Sequence, residues 1–227
     1  MTAILSNLQA AREAIVQAAK AAQRDAADVR LLAVSKTFSA AAVREVYAAG
    51  QNCFGENYLQ EALEKIGELR DLPLEWHFIG PIQSNKTRAI AENFAWVHSV
   101  DRLKIAERLS EQRPLHLPPL NICLQVNVSG EVSKSGVAPE EVEMLAQQVV
   151  RLPRIKLRGL MAIPAPATNE KEQRAPYAQM RILLNKLNAQ GMALDTLSMG
   201  MSHDYPVAIF EGATIVRIGT AIFGSRG

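Results

Sequence analysis

RLLAVSKTFSAAAVREVYAAG, Arg30 to Gly50, opens on an apolar run that stops at Lys36 and then passes into a pattern of helical spacing. A run that is continuously apolar, and not alternating, is expected of a strand buried on both faces, as in a parallel sheet. Ser39 is placed to cap the helix that follows, and Gly50 to end it in the left-handed conformation. The stretch is a β/α unit. It also raises a question, because the ammonium group is costly to take into a core and here it closes a strand that should be buried.

The same unit recurs along the chain. Strand-like runs fall at 30–36, 52–56, 75–80, 95–100, 121–128, 156–163, 195–200 and 214–219, with segments of helix-forming composition between them. Asp101 is expected to cap the fourth intervening helix. Pro139 with Glu140 and Glu141 suits a first helical turn, and Gly191 follows the sixth helix. Eight strands, seven intervening helices and an N-terminal helix predict an α/β fold, a (β/α)8 TIM barrel forming a single domain over residues 1–227. An open doubly wound sheet uses the same elements, but no G-x-G-x-x-G follows the first strand, which disfavours its dinucleotide-binding form. The breaks PRIK and IPAPATNEKEQ read as loops within the alternation.

Bulk composition narrows the function classes. Of 227 residues 48% are apolar, enough for a large core, and the formal net charge is only +2. No block of Lys and Arg and no basic stripe interleaved with aromatics suggests a nucleic-acid partner. No apolar stretch reaches the length of a membrane span and the N-terminus lacks a signal-peptide core, so a soluble cytoplasmic protein is expected. Cys53 and Cys123 lie in separate apolar runs and read as reduced, buried thiols.

In a barrel the chemistry sits at the C-terminal ends of the strands. Those ends offer Lys36, Glu56 with Asn57, Gly80, Ser99, Asn127, Met161, the segment Ser198 to Ser202, and Gly219 with Thr220. A lysine packed by Leu32, Val34 and their neighbours is partly desolvated, which frees its amine as a nucleophile towards a carbonyl substrate or an aldehyde cofactor. A lysine that snorkels to solvent from a strand end reads the same way, and position alone leaves both open.

The tail adds more. LSMGMSHDYPVAI and VRIGTAIFG put Gly–Ser and Gly–Thr pairs after the seventh and eighth strands, where barrels often bind phosphate, and Asp204 stands near the next helix start. Arg217 shares a face with Gly219 and needs an acceptor or an anion if it points inward; pairing with Glu56 or an outward position are the alternatives. The four histidines show no metal-ligand spacing, so no metal site is expected, and His77 reads as a satisfied strand histidine. IGPIQSNK (79–86) offers a polar loop that either caps a helix or lines the mouth. NVSGEVSKSG (127–136), with Lys134, reads as a flap.

Taken together LLAVSKT, FGENYLQEA, WHFIGPIQSNK, NVSGEVSKSG, LRGLMAIP, LSMGMSHD and VRIGTAIFG resemble the pyridoxal 5′-phosphate (PLP) homeostasis protein family, in order from about residue 31 to residue 224. His203 is a slight departure within the MSHD turn. The resemblance implies a fold similar to the N-terminal barrel of alanine racemase, with Lys36 carrying PLP as an aldimine. It implies further that Ser202, Gly219 and Thr220, with backbone from Gly200 and Met201, hold the phosphate. Arg217 would face the ring nitrogen, and Asn57 and Met161 would lie around the cofactor.

Two functions use such a site, a PLP carrier or regulator and a PLP-dependent amino-acid racemase. Racemisation needs a second acid/base on the opposite face of the substrate, supplied in racemase relatives by a further β-domain that is not expected here. A permanently charged arginine at the ring nitrogen also disfavours protonating it, which weakens the ring as an electron sink. The expected protein is a non-catalytic monomer that holds PLP and exchanges it with apo forms of PLP-dependent enzymes.

Overall fold

The computed structural model describes residues 2–131, 134–167 and 169–224. Eight strands, β1 (Arg30–Val34), β2 (Cys53–Glu56), β3 (Glu75–Phe78), β4 (Trp96–Val100), β5 (Leu120–Gln125), β6 (Ile155–Met161), β7 (Thr196–Met201) and β8 (Ile215–Ile218), pair in sequence order into a closed barrel. Every pair is parallel, and β8 closes the ring on β1 with Leu32 opposite Arg217 and Ala33 opposite Ile218. This is the expected TIM barrel, and closure removes the sheet edges that an open sheet would have to protect.

Nine helices among the described residues surround or cap the barrel: α1 (Ala3–Ala21), α2 (Ala40–Ala48), α3 (Leu59–Glu68), α4 (Thr87–Asn93), α5 (Leu103–Gln112), α6 (Val142–Val149), α7 (Glu170–Ala189), α8 (Tyr205–Phe210) and α9 (Thr220–Phe223). The expected caps hold at three points. The Ser39 hydroxyl accepts from the Ala42 N–H, and Gly50 and Gly191 follow α2 and α7 with φ of +82° and +90°. Asp101 does not cap α5. Arg102 occupies the cap position without a side-chain bond, and the Asp101 carboxylate instead accepts from the Arg102 guanidinium at 2.6 Å. A charge-assisted bond to its neighbour outcompetes the neutral backbone N–H for that oxygen.

Each strand separates two cores. Outward residues such as Leu31, Ala33, Phe54, Phe78, Val97 and Leu124 meet the helices in one large cluster. Leu8, Ala11, Ile15 and Ala19, spaced along one stripe of α1, join it. Burying a leucine or isoleucine there contributes about 1.5–3 kcal/mol. Inward residues Leu32, Val34, Cys53, Ile79, Trp96, Cys123, Met161 and Ile215 fill the barrel itself. Both cysteines are free and buried, and burial pushes each thiol up to about 12.

No helix among the described residues is long and apolar enough to cross a membrane.

Candidate cofactor site

Strand β1 stops before the lysine. Its last ladder contact is the Ser35 N–H to Gly55 carbonyl bond at 3.0 Å, after which Thr37 takes φ +68° and the chain turns away. Lys36 therefore sits in the turn, half-buried and not in the strand. This resolves the conflict between an ammonium group and a buried strand.

A buried ion pair holds that turn. Lys65 of α3 reaches Glu56 Oε1 at 2.6 Å and Glu61 at 2.7 Å, and also donates to the Ser35 carbonyl at 2.7 Å. Ser35 Oγ donates to the same Glu56 oxygen at 2.6 Å, and the Thr37 N–H donates to Glu61 at 2.6 Å. The residues on both sides of Lys36 are thus fixed by one cluster. Burial pushes the Glu56 carboxyl up, against the opposing pull of Lys65 and Ser35. Its second oxygen, Oε2, is buried with no hydrogen-bond partner among the described residues, as is Oδ1 of the adjoining Asn57.

Arg217 points into the barrel and is 4% exposed. It does not pair with Glu56. It donates to the Ser198 carbonyl (2.6 Å), Ser198 Oγ (2.9 Å) and the Ala162 carbonyl (2.9 Å), spanning β7 and the end of β6 beside Met161. All three acceptors are neutral, and they leave part of the guanidinium's donor fan uncommitted. Burial lowers its pKa, partly offset by Tyr177 and Asp204.

The turn after β7 is braced from below. Asp204 Oδ1 accepts from the Met201 N–H at 2.6 Å, the Asp204 N–H donates to the Met201 carbonyl at 3.1 Å, and Tyr177 of α7 donates to Asp204 Oδ2 at 2.6 Å. Half-buried Ser202 lies within this turn. Gly200, with φ +91°, packs so closely that a Cβ there would lie 2.6 Å from Ala208 Cβ and 2.9 Å from Tyr205 Cα. Only glycine lets the backbone come that near α8 in that conformation.

Gly219 precedes exposed Thr220 at the start of α9, and a Cβ on Gly219 would lie 3.1 Å from the Val34 carbonyl. Phe38 stacks on Phe223 at 4.9 Å, which ties the Lys36 turn to α9. The β1–β8 pairing thus brings Lys36, Arg217, Gly219 and Thr220 to one side of the mouth. Gly200 and Met201 end the neighbouring β7, and Ser202 lies in the turn after it.

Other strand-end residues make bonds within the chain. Ser99 donates to the Gly80 carbonyl, and a Cβ on Gly80 would strike the Asn57 carbonyl at 2.1 Å. The 79–86 loop ends in a 3-10 turn, Ser84–Lys86, whose Ser84 carbonyl accepts from Thr87 and Arg108. The expected flap is tied at its base: Val126 bridges Val137, and Asn127 Nδ2 donates to the Glu131 and Lys134 carbonyls. Residues 132 and 133 of that segment lie outside the described residues. Lys65, Glu61 and Tyr177 carry no signal in the sequence, where all three look like ordinary helix-surface residues.

A closed barrel with a lysine turn after β1 and small-residue turns after β7 and β8 belongs to one class: the family model for the alanine racemase N-terminal domain matches residues 6–227. Within that class the chain belongs to the family of pyridoxal phosphate homeostasis proteins. It is 66% identical over 226 residues to the Pseudomonas aeruginosa protein of that name, covering all of this chain and 97% of the relative. The structure of PipY from Synechococcus elongatus with PLP bound is 43% identical, with a TM-score of 0.80 over 87% of this chain and 93% of that one. The alanine racemase of Corynebacterium glutamicum aligns with a TM-score of 0.72 at 21% identity, over 99% of this chain and 61% of that one, a likeness of fold alone.

Proposed function

We propose that this protein binds PLP at the C-terminal mouth of its barrel and serves PLP homeostasis, holding the cofactor on Lys36 without using it as a catalyst. The observation that carries the reading is Arg217, a buried guanidinium whose bonds among the described residues go only to neutral groups. A charge so placed calls for an acceptor from outside. The orphaned oxygens of Asn57 and Glu56 fit a ligand that brings its own hydroxyl donor. Relatives named for PLP homeostasis and the PLP-bound PipY structure point the same way.

Bound PLP supplies an aldehyde that reacts reversibly with a primary amine, and a pyridine ring that can store electrons if its nitrogen is protonated. Lys36 provides the amine. Ser202, Gly219 and Thr220, with the backbone of Gly200 and Met201, hold the phosphate; Asn57 and Met161 flank the ring. Arg217 presents its N–H groups to the ring nitrogen. Because guanidinium stays protonated at any physiological pH, it leaves that nitrogen unprotonated and the ring a poor electron store. The site retains the cofactor and does little chemistry with it.

In this reading the protein acts as a cytoplasmic monomer and passes PLP to apo forms of PLP-dependent enzymes. The test is a transfer assay in which loaded protein and an equal amount of free PLP are each mixed with an apoenzyme whose activity reports uptake. Delivery that resists a PLP scavenger better than the free-PLP control supports the carrier role. Delivery no better protected than free PLP, or amino-acid racemisation at enzyme-like rates by the loaded protein itself, contradicts it.

A further inference from the structure

Five polar side chains cross the barrel interior in one hydrogen-bonded line. Glu75 Oε1, at the start of β3, lies 2.9 Å from His77 Nε2; His77 Nδ1 lies 2.9 Å from His98 Nε2 on β4. His98 Nδ1 lies 2.7 Å from Ser198 Oγ on β7, which accepts from Arg217 on β8 at 2.9 Å. Both imidazoles are fully buried. The line begins at the N-terminal end of the barrel and finishes at the guanidinium under the opposite mouth.

Its polarity follows from the ends. Arginine can only donate, so Ser198 Oγ accepts from Arg217 and keeps its one proton for His98 Nδ1, the direction that a carboxylate at Glu75 and neutral imidazoles require. His98 then carries its proton on Nε2 and donates to His77 Nδ1. His77 in turn carries its proton on Nε2 and donates to Glu75, which as a carboxylate can only accept. Every member is satisfied in this direction, and the reverse direction fails at Glu75, where a carboxylate would have to donate to His77. Burial pushes both imidazoles towards the neutral form that this order needs.

The N-terminal end also brings Cys53, Glu75 and His77 within 4.8 Å of one another, a set of metal-ligand type. Arg30 donates to the same Glu75 oxygen at 2.7 Å. A cation there would meet a guanidinium and displace the His77 proton, so the carboxylate serves the relay and not an ion.

We infer that His77 and His98 are positioning residues, forming a one-directional relay that couples the Glu75 carboxylate to Arg217 and fixes the orientation in which Arg217 meets its ligand. In its effect on PLP the inference rests on the reading above; the relay itself needs no cofactor. Chains of oriented hydrogen bonds polarise one another in a low-dielectric interior, so a change at Glu75 is felt beyond the residue it touches.

The test is nitrogen-15 imidazole NMR on the full chain, with and without PLP, together with PLP titrations. Both His77 and His98 are expected as neutral Nε2–H tautomers at pH 7 in the wild-type protein. Either one found as Nδ1–H, or charged, overturns the relay, and this measurement stands even where a variant fails to fold. Glu75→Gln is expected to move the His98 nitrogen signals as well as those of His77, to shift the visible band of bound PLP and to raise its Kd about threefold to tenfold. Changes confined to His77, with band and Kd as in wild type, overturn the coupling. In a His98→Asn background the line is already cut, so Glu75→Gln should weaken PLP no further; an additive loss counts against the inference. A wild-type protein that takes up no PLP would sink the proposed function while the tautomers still judge the relay.

Discussion

The two mouths of the barrel are built on opposite principles. At the N-terminal mouth, charges meet charges. Arg30 pairs with Glu75 at 2.7 Å, and Arg158 grips Asp195 through two nitrogens, bonds Asn121 and lies 4.8 Å above the Trp96 ring. At the C-terminal mouth Glu56 Oε2, Asn57 Oδ1 and Asn127 Oδ1 are buried without partners among the described residues, where Arg217 bonds only neutral groups. Buried polar atoms are seldom left unsatisfied, and each one costs about 1–3 kcal/mol. Three such atoms gather at the C-terminal mouth, against Gln112 Oε1 at the end of α5 on the other side, which makes the C-terminal mouth the end to test for a ligand.

The comparison breaks first at Lys36. If the C-terminal mouth holds an aldehyde cofactor on this amine, Lys36→Ala should abolish the adduct trapped by borohydride and read by mass spectrometry. A PLP adduct persisting at full stoichiometry would remove Lys36 from the site. Next in size is Lys65, the charged residue that anchors the turn. Lys65→Met leaves Glu56 buried and uncompensated, which should cost about 3–5 kcal/mol of folding stability and slow adduct formation at Lys36. Denaturant unfolding and a trapping time course measure both. A stable variant with unchanged trapping would show that the pair neither supports the fold nor positions the lysine.

How much of this was legible in the sequence differs between the same two ends. Short, mostly apolar runs between helix-forming segments announced the eight strands, and a cation inside or just after such a run announced Lys36 and Arg217. The Lys65–Glu61 pair, four residues apart on α3, has the spacing of a solvent-exposed helix pair; only the docking of α3 on the Ser35 carbonyl buries Lys65. Tyr177 and Asp204 meet across 27 positions, and His98 and Ser198 across 100, distances at which no local pattern carries a signal. One signal was available: Glu75 with His77, and Trp96 with His98, stand two apart in their strands and so share the inward face. Two histidines directed into a barrel require partners there, and strand order places β3 beside β4.

The smallest effect tests the N-terminal mouth as the stabilising end. The hydrogen bond from His77, with Arg30 adding to it, holds the Glu75 carboxyl down to about 2 from an ordinary 4.5. A folded-state value below the unfolded one means that the native protein resists protonation at this site. The resulting stability is present in full above about 4.5 and is lost as pH falls through about 2. Because roughly a third of the side chain faces solvent, screening reduces the contribution to about 1–2 kcal/mol. Glu75→Gln keeps an acceptor for His77 but has no charge to titrate. Urea unfolding should therefore find wild type the more stable at pH 7, with the gap to Glu75→Gln closing between pH 4.5 and pH 2. A gap of constant size over that window would mean that the carboxylate charge does not contribute, and that the ion pairs at this mouth are ornaments of the surface and not supports of the barrel.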